Sequence, residues 1–375
     1  MSAWAKRTTQ LDERAARLLL SRLGEPYDEL VQRLVAEHGV LDLVGYALRD
    51  GHTPDGTALG RLLGRRERAL AADDEHICRA LGLRVLVPGD DEWPTELEEL
   101  PWAPWCLWVR GPVRLDEVVR RSVAVVGARA STAYGEQQAA RLCLDLAERG
   151  FAIVSGAAYG IDAAAHRAAL AAGGTTVAVL AGGVDVPYPR SNADLIARIG
   201  QVGALVSETP PGGAPARMRF LARNRIIAAL STGTVVVEAG LRSGARSTAK
   251  NARELGRHLM AVPGPVESSM SAGCHAEIRM GATLVTDAGE VAELTGRIGD
   301  DLAPVKQGPT RHEDELDEDL RRIWQWLRPR RSCSVDEVMV RSGLTVGEVL
   351  AGLGRLEELG LAEHLLDGWR RGPGR

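Results

Sequence analysis

From Ser122 onward the chain alternates short, almost wholly apolar runs with helix-length segments, and this alternation restricts the fold more than any other feature. The runs are Val123–Val126, Ala152–Val154, Val177–Leu180, Ala204–Val206, Val235–Val237 and Leu259–Val262, closed by Thr283–Val285. They are largely free of the polar alternation of a half-solvated strand, so they read as strands buried on both faces. Between them lie Gly135–Arg149, Ala163–Ala172, Ala193–Ile199, Leu221–Leu230 and Ala245–Arg257. Strand, helix, strand in this order predicts an α/β, Rossmann-like, doubly wound and mostly parallel sheet.

Two smaller domains are expected to flank it. Residues 1–82 carry apolar positions at helical spacing (Leu18, Leu19, Leu23; Leu30, Leu34; Leu41, Val44, Leu48), broken at Gly24-Glu25-Pro26 and Gly51-His52-Thr53-Pro54. A small helical domain, of sterile-alpha-motif or helix-hairpin-helix-like size, follows from that pattern. The sheet domain spans 83–297 and opens with a short strand, Arg84–Val87. Half of the chain's tryptophans follow within sixteen residues: Trp93, Trp102, Trp105 and Trp108. A connector packed on the next domain is expected there rather than a base-stacking surface, because no basic residue interleaves them before Arg110.

A linker, 298–312, leads to the acidic run Glu313–Asp319, read as the first turn of a helix ending near Arg328. Within 313–375, Ser334-x-x-Glu337 and Thr345-x-x-Glu348 are two capping boxes, Gly360 ends the second helix, and Asp367-Gly368 is a hairpin turn. Together they predict a winged helix. Its second helix carries Glu348, Glu357 and Glu358 against Arg355 alone, which opposes a place between two phosphate backbones. A packing or protein-contact role is expected instead.

The five cysteines are scattered and never form C-x-x-C, so reduced thiols and no metal site are expected. The chain opens without a charged-then-apolar leader, and no apolar run reaches the roughly 18 to 20 residues of a membrane span. A cytoplasmic protein without membrane contact is the expectation.

Charge is unevenly placed. The formal net charge is -4, yet Arg217–Arg257 holds Arg217, Arg219, Arg223, Arg225, Arg242, Arg246, Lys250, Arg253 and Arg257 against Glu238 and Glu254. A local excess of seven positive charges in an acidic chain points to an anionic partner, with phosphate the commonest. In an open parallel sheet a ligand sits beyond the carboxyl ends of the strands, and three turns at such ends bear on it. Gly127-Ala128-Arg129 follows the first strand, offering close backbone approach and a charge-assisted donor. It matches neither a dinucleotide nor a triphosphate fingerprint, so no nucleotide cofactor is expected.

The second turn, Ser155-Gly156, leads to Asp162 and His166, which share a helix face. Without a third ligand or a nucleophile, Asp162 reads as an N-cap beside a polar histidine. The third region joins Phe220, Arg223, Asn224 and Arg225 to the turn Ser243-Gly244-Ala245-Arg246-Ser247-Thr248, followed by Lys250. Aromatic, amide and arginine together suit a stacked base and successive phosphates, and small hydroxyls with free amides suit an anion. Arg223 or Arg225 equally suits an internal ion pair with Glu208 or Glu238.

These segments resemble a known family. VAVVGARASTAYG, IVSGAAYGIDAAAH, VAVLAGGVDVPYPRSN, LVSETPPG, FLARNRIIAALS, VVVEAGLRSGARSTAKNA and AVPGPVESSMSAGCHAEIRMGATLV are similar in sequence and order to motifs of the DNA-processing protein A (Smf) family, from about Arg84 to Val291. The resemblance implies a non-enzymatic, homodimeric protein that binds and protects single-stranded DNA and helps load RecA recombinase onto it, notably in natural transformation. The family's Gly-Ser/Thr-Arg phosphate turn matches Gly127-Ala128-Arg129, with alanine in place of the hydroxyl residue. Its Phe-x-x-Arg-Asn-Arg block matches Phe220, Arg223, Asn224 and Arg225, and its Ser-Gly-x-x-x-Thr-Ala turn matches Ser243, Gly244, Thr248 and Ala249. Arg246 and Lys250 stand in for the family's lysines, and Trp93-Pro94 for its Tyr-Pro pair. Two other readings are open: a phosphoribohydrolase-like enzyme, from Gly233-Thr234 followed by Glu238, and a winged-helix regulator of duplex DNA.

Overall fold

The apolar runs become the strands of one sheet in the computed structural model, which describes residues 11–304, 306 and 315–372. The chain divides into two units, Met1–Ala303 and Pro304–Arg375. Most of the linker and the start of the acidic run lie outside the described residues.

The first unit begins with α1 (Glu13–Leu23), α2 (Glu29–His38), α3 (Val40–Arg49), α4 (Gly60–Leu63), α5 (Arg66–Leu70) and α6 (Asp74–Leu81). Asp12, Asp28 and Asp73 cap α1, α2 and α6, each accepting from backbone amides of the first turn. Their core joins Leu20, Leu23, Val31, Leu34, Leu43, Val44 and Leu48. The expected stripe is out of phase at Leu41, which is exposed, while Val40 and Leu43 turn inward. Trp105 enters this core so closely that a Cβ on Gly24 would lie 2.7 Å from its ring. The helices and the sheet therefore share one unit.

Strands β1 (Leu83–Leu86) and β2 (Leu107–Arg110) pair antiparallel, and β2 pairs antiparallel with β6 (Ala204–Ser207). The tryptophan segment, expected as a connector, thus supplies an inner strand of the sheet. Trp93, Trp105 and Trp108 are buried. The remaining strands are parallel: β3 (Ser122–Gly127), β4 (Ala152–Ser155), β5 (Thr176–Val179), β6 (Ala204–Ser207), β7 (Gly233–Glu238), β8 (His258–Ala261) and β9 (Thr283–Leu284).

The sheet order is β1-β2-β6-β5-β4-β3-β7-β8-β9. The chain runs outward from β3 through β4, β5 and β6, then returns to the other side of β3 as β7. Its direction of travel reverses between β3 and β7, where crossing connections diverge and leave a crevice. Every residue of β4, β5, β6 and β7 is buried, as their apolar sequences require. One face is covered by α7 (Leu115–Val118), α11 (Arg217–Ala229), α12 (Ala245–Glu254) and α13 (Ala272–Arg279). The other is covered by α8 (Ala133–Glu148), α9 (Ile161–Ala171) and α14 (Ala288–Thr295), with α10 (Ala193–Val202) packed by β5 and β6.

The second unit is a winged helix: α15 (Glu318–Trp326), α16 (Val335–Ser342), α17 (Val346–Glu358) and the hairpin β10 (Ala362–Leu365) with β11 (Gly368–Arg371). Both capping boxes form, Ser334 with Glu337 and Thr345 with Glu348. Gly343 and Gly360, each with φ 72°, end α16 and α17 in the left-handed conformation that glycine adopts without a Cβ penalty. Among the described residues no helix is long and apolar enough to cross a membrane.

Candidate functional site

At the β3/β7 reversal a cavity of about 840 Å³ opens beyond the carboxyl ends of the strands. The turn after β3 forms its floor and is held by β7. The register shifts between Val126 and Gly127, and Ala128 N–H donates to the Glu238 carbonyl at 2.6 Å. The Glu238 carboxylate accepts from Thr132 N–H at 2.8 Å and Thr132 Oγ1 at 2.7 Å. Bound in this way and buried, Glu238 positions the turn and does not line the cavity, so the phosphoribohydrolase reading is not favoured. Gly127 is required because a Cβ there would meet Ile161 at 2.5 Å.

The cap of α9 differs from expectation. Gly160, at φ 72°, occupies the N-cap, and a Cβ on it would lie 2.3 Å from the Ala128 carbonyl. Asp162 lies in the first turn, accepts from Ala158 N–H at 3.3 Å and faces Arg223 at 3.8 Å. Burial raises its carboxyl pKa, against the pull of Arg223. His166 is a core residue. Thr176 Oγ1 donates to the Ile153 carbonyl, so it must accept from His166 Nδ1–H at 2.7 Å, leaving Nε2 buried without a partner among the described residues. Burial lowers its pKa to about 3 and keeps the ring neutral.

Nine of the fourteen expected contact residues line the cavity: Gly127, Ala128, Arg129, Phe220, Arg223, Asn224, Ser243, Gly244 and Thr248. Phe220 projects from α11 against the tilted Tyr188 ring, 5.5 Å away between centroids. The Arg129 guanidinium sits over the Phe220 ring at 4.6 Å and that of Arg223 at 5.8 Å. Arg223 is anchored rather than free. Its Nη1 donates to the Gly156 carbonyl at 2.5 Å and to the Val179 carbonyl, and Nε donates to Asn224 Oδ1. Burial lowers its pKa to about 10, with Asp162 acting in the opposite sense, so it stays cationic at neutral pH.

The other five do not line the cavity, each for a physical reason. Arg225 is 2% exposed; two of its nitrogens reach Glu208 at 2.6 Å, and it also donates to the Trp102 and Ala222 carbonyls. It is the internal ion pair that the residue pattern left open. Ser155 is buried and donates to the Val125 carbonyl, while Gly156 leaves room for the Arg223 guanidinium, 2.1 Å from where a Cβ would stand. Arg246 pairs with Glu277 at 2.7 Å, and Lys250 pairs with Glu254 along α12 on the solvent side.

Arg217, Arg242 and Tyr188 also line the cavity and were not singled out from sequence. Arg217 and Arg242 belong to the counted basic excess, but nothing in their spacing separates a free arginine from a paired one. Arg129, Arg217 and Arg242 are exposed and form no ion pair among the described residues. The cavity is therefore lined by three guanidiniums without an acidic partner among the described residues, together with an aromatic ring and a glycine turn. In the winged helix, by contrast, Arg370 pairs with Glu363 and Arg371 lies over Trp324 at 3.8 Å, so the basic wing end is engaged internally.

Comparison with known proteins converges on one family. A family model described as DNA recombination-mediator protein A matches residues 84–296, and one described as the DprA winged helix domain matches 307–368. A putative DNA processing protein DprA from Mycobacterium tuberculosis (strain CDC 1551 / Oshkosh) is 48% identical over 363 residues, covering 94% of this chain and 92% of that protein. Among solved structures, DNA processing protein A from Streptococcus pneumoniae aligns with a TM-score of 0.63 at 33% identity, over 77% of this chain and 99% of that one. The protein of the same name from Helicobacter pylori, described for its unique single-stranded DNA binding mode, aligns with a TM-score of 0.51 at 30% identity, over 56% and 93%. The chain belongs to the DprA/Smf family of DNA-processing, recombination-mediator proteins.

Proposed function

We propose that this chain binds single-stranded DNA without regard to sequence, in the cavity at the β3/β7 reversal. The observation that carries the reading is the trio Arg129, Arg217 and Arg242, which form no ion pair among the described residues and line one cavity with Phe220, over whose ring Arg129 lies. Guanidiniums hold phosphate oxygens bidentately, while a ring accepts any base on its face. The buried amide of Asn224 and the Ser243-Gly244 turn close the far wall, with Asn224 Nδ2 donating to the Gly244 carbonyl at 3.3 Å. A duplex would have to bring paired, stacked bases to a recessed ring, so a single strand fits better.

In this reading the protein performs no covalent chemistry, acts as a homodimer in the cytoplasm, shields the strand, and helps place a RecA-type recombinase on it. The family placement supports these roles, and the neutral, core-packed His166 together with the turn-holding Glu238 argues against an acid-base site. The test is a competition titration by fluorescence anisotropy. Oligothymidine and a mixed-sequence single strand of equal length should bind within about threefold of each other. A duplex of that length should compete at least about tenfold less well. Equal affinity for duplex, or release of free base from nucleoside monophosphates by the purified protein, would overturn the reading.

A further inference from the structure

The loop between β6 and α11 has two sides. Pro215 and Ala216 line the cavity described above and also a second cleft of about 370 Å³ beyond the loop. The walls of that cleft come from both parts of the first unit. Thr209–Ala216 and Arg219 form one wall; Ser21 and Arg22 of α1 with Arg65, Arg68 and Ala69 form the other.

Four guanidiniums thus face two carboxylates. Arg22 is held by Asp74 at 2.5 Å, and Glu25 is shared between Arg219, at 2.9 Å, and Arg65. Burial acts to raise the Glu25 carboxyl, but hydrogen bonds from Arg219 and Arg65 outweigh it and hold its pKa below the ordinary value. One carboxylate between two guanidiniums leaves a positive charge uncompensated. Arg68 is exposed and forms no ion pair among the described residues. The loop opposite contributes three prolines and four small residues, while Thr209 is buried with its N–H on Ser207 Oγ. The donors on offer are therefore guanidiniums, which read charge, and the prolines present apolar surface without reading base identity.

We propose that this cleft is a second subsite for the phosphodiester backbone of the same single strand, which leaves the Arg129 cavity over Pro215 and Ala216 and is held by Arg65 and Arg68. The inference rests on the single-strand reading above. It differs from that reading in assigning DNA contact to the N-terminal helices.

The test uses the full chain and two labelled oligothymidines, one of about six nucleotides to occupy the first cavity alone and one of about twenty to reach the cleft. Arg68→Glu is the principal variant, because an exposed side chain without an ion pair can be reversed without touching the fold; Arg65→Ala with Arg68→Ala is the second. Both should leave the six-mer affinity within about twofold and weaken the twenty-mer by about tenfold or more. For the double variant the salt slope of twenty-mer binding should shallow by about 1.4, as expected when two phosphates are no longer engaged. Unchanged twenty-mer binding, or equal weakening of both oligonucleotides, overturns the subsite while the first cavity stands. Failure of the wild type to bind either oligonucleotide overturns both readings.

Discussion

Arg129, in the turn after β3, and Arg225, on α11, carry the same guanidinium, and their surroundings divide them. Arg129 is exposed, lies over Phe220 and has no acidic partner among the described residues; Arg225 is buried against Glu208. Arg129→Ala should weaken oligothymidine binding by about 1–3 kcal/mol, the worth of a charge-assisted contact, with the circular dichroism spectrum and melting temperature unchanged. Arg225→Ala should do the reverse. Leaving Glu208 buried without its partner should cost about 3–5 kcal/mol of stability in urea unfolding, while the folded fraction binds DNA as the wild type does. Normal stability of Arg225→Ala, or normal binding by Arg129→Ala, would place the residue in the other class. The basic excess and the Gly127-Ala128-Arg129 turn were legible in the chain itself. Which arginines were free was not, because the partners Glu208 and Glu277 lie 17 and 31 residues from Arg225 and Arg246 in sequence and meet them only through the fold.

The elements were legible to unequal degrees. The parallel strands declared themselves because burial on both faces demands continuous apolar runs, and the two capping boxes because their hydrogen bonds are local. Strand β2 did not, since proline and tryptophan around Leu107–Arg110 mask an antiparallel pairing with strands that precede and follow it by long intervals. The caps of α16 and α17 yield a direct check: Ser334→Ala or Thr345→Ala should each lower winged-helix stability by about 1 kcal/mol in thermal unfolding. Another junction is sensitive to pH. After α14, Asp301 accepts from Arg121 through two hydrogen bonds of 2.8 Å and from Arg297 N–H. The Arg121 hydrogen bonds, followed by that of Arg297, hold its pKa at about 2, below the ordinary 3.8. A depressed carboxyl stabilises the fold fully above the unfolded value and loses that contribution as pH falls through the folded one. The stability difference between wild type and Asp301→Asn in urea should therefore be constant above about pH 5 and shrink as pH falls from about 4 toward 2. A difference independent of pH would show that the pair is not responsible.

For the whole molecule, the order of strands decides where a ligand can sit. Reversal of the chain between β3 and β7 brings the Arg129 turn against α11 and the Ser243-Gly244 turn, although more than ninety residues separate β3 from β7. The alternation of strands and helices announced such a sheet, and the position of the turns at strand ends let their convergence be expected; the order of the strands came from the fold. A pocket ringed by free guanidiniums makes ion release the main source of affinity, so salt is the most direct probe. Binding of oligothymidine should be measured by anisotropy across about 50 to 400 mM salt for the wild type and for Arg129→Ala. With about three to six phosphates engaged, log K against log salt should fall with a slope of about -2 to -4, and Arg129→Ala should shallow it by about 0.7. A wild-type slope near zero, or one that Arg129→Ala leaves unchanged, would contradict phosphate capture in this cavity.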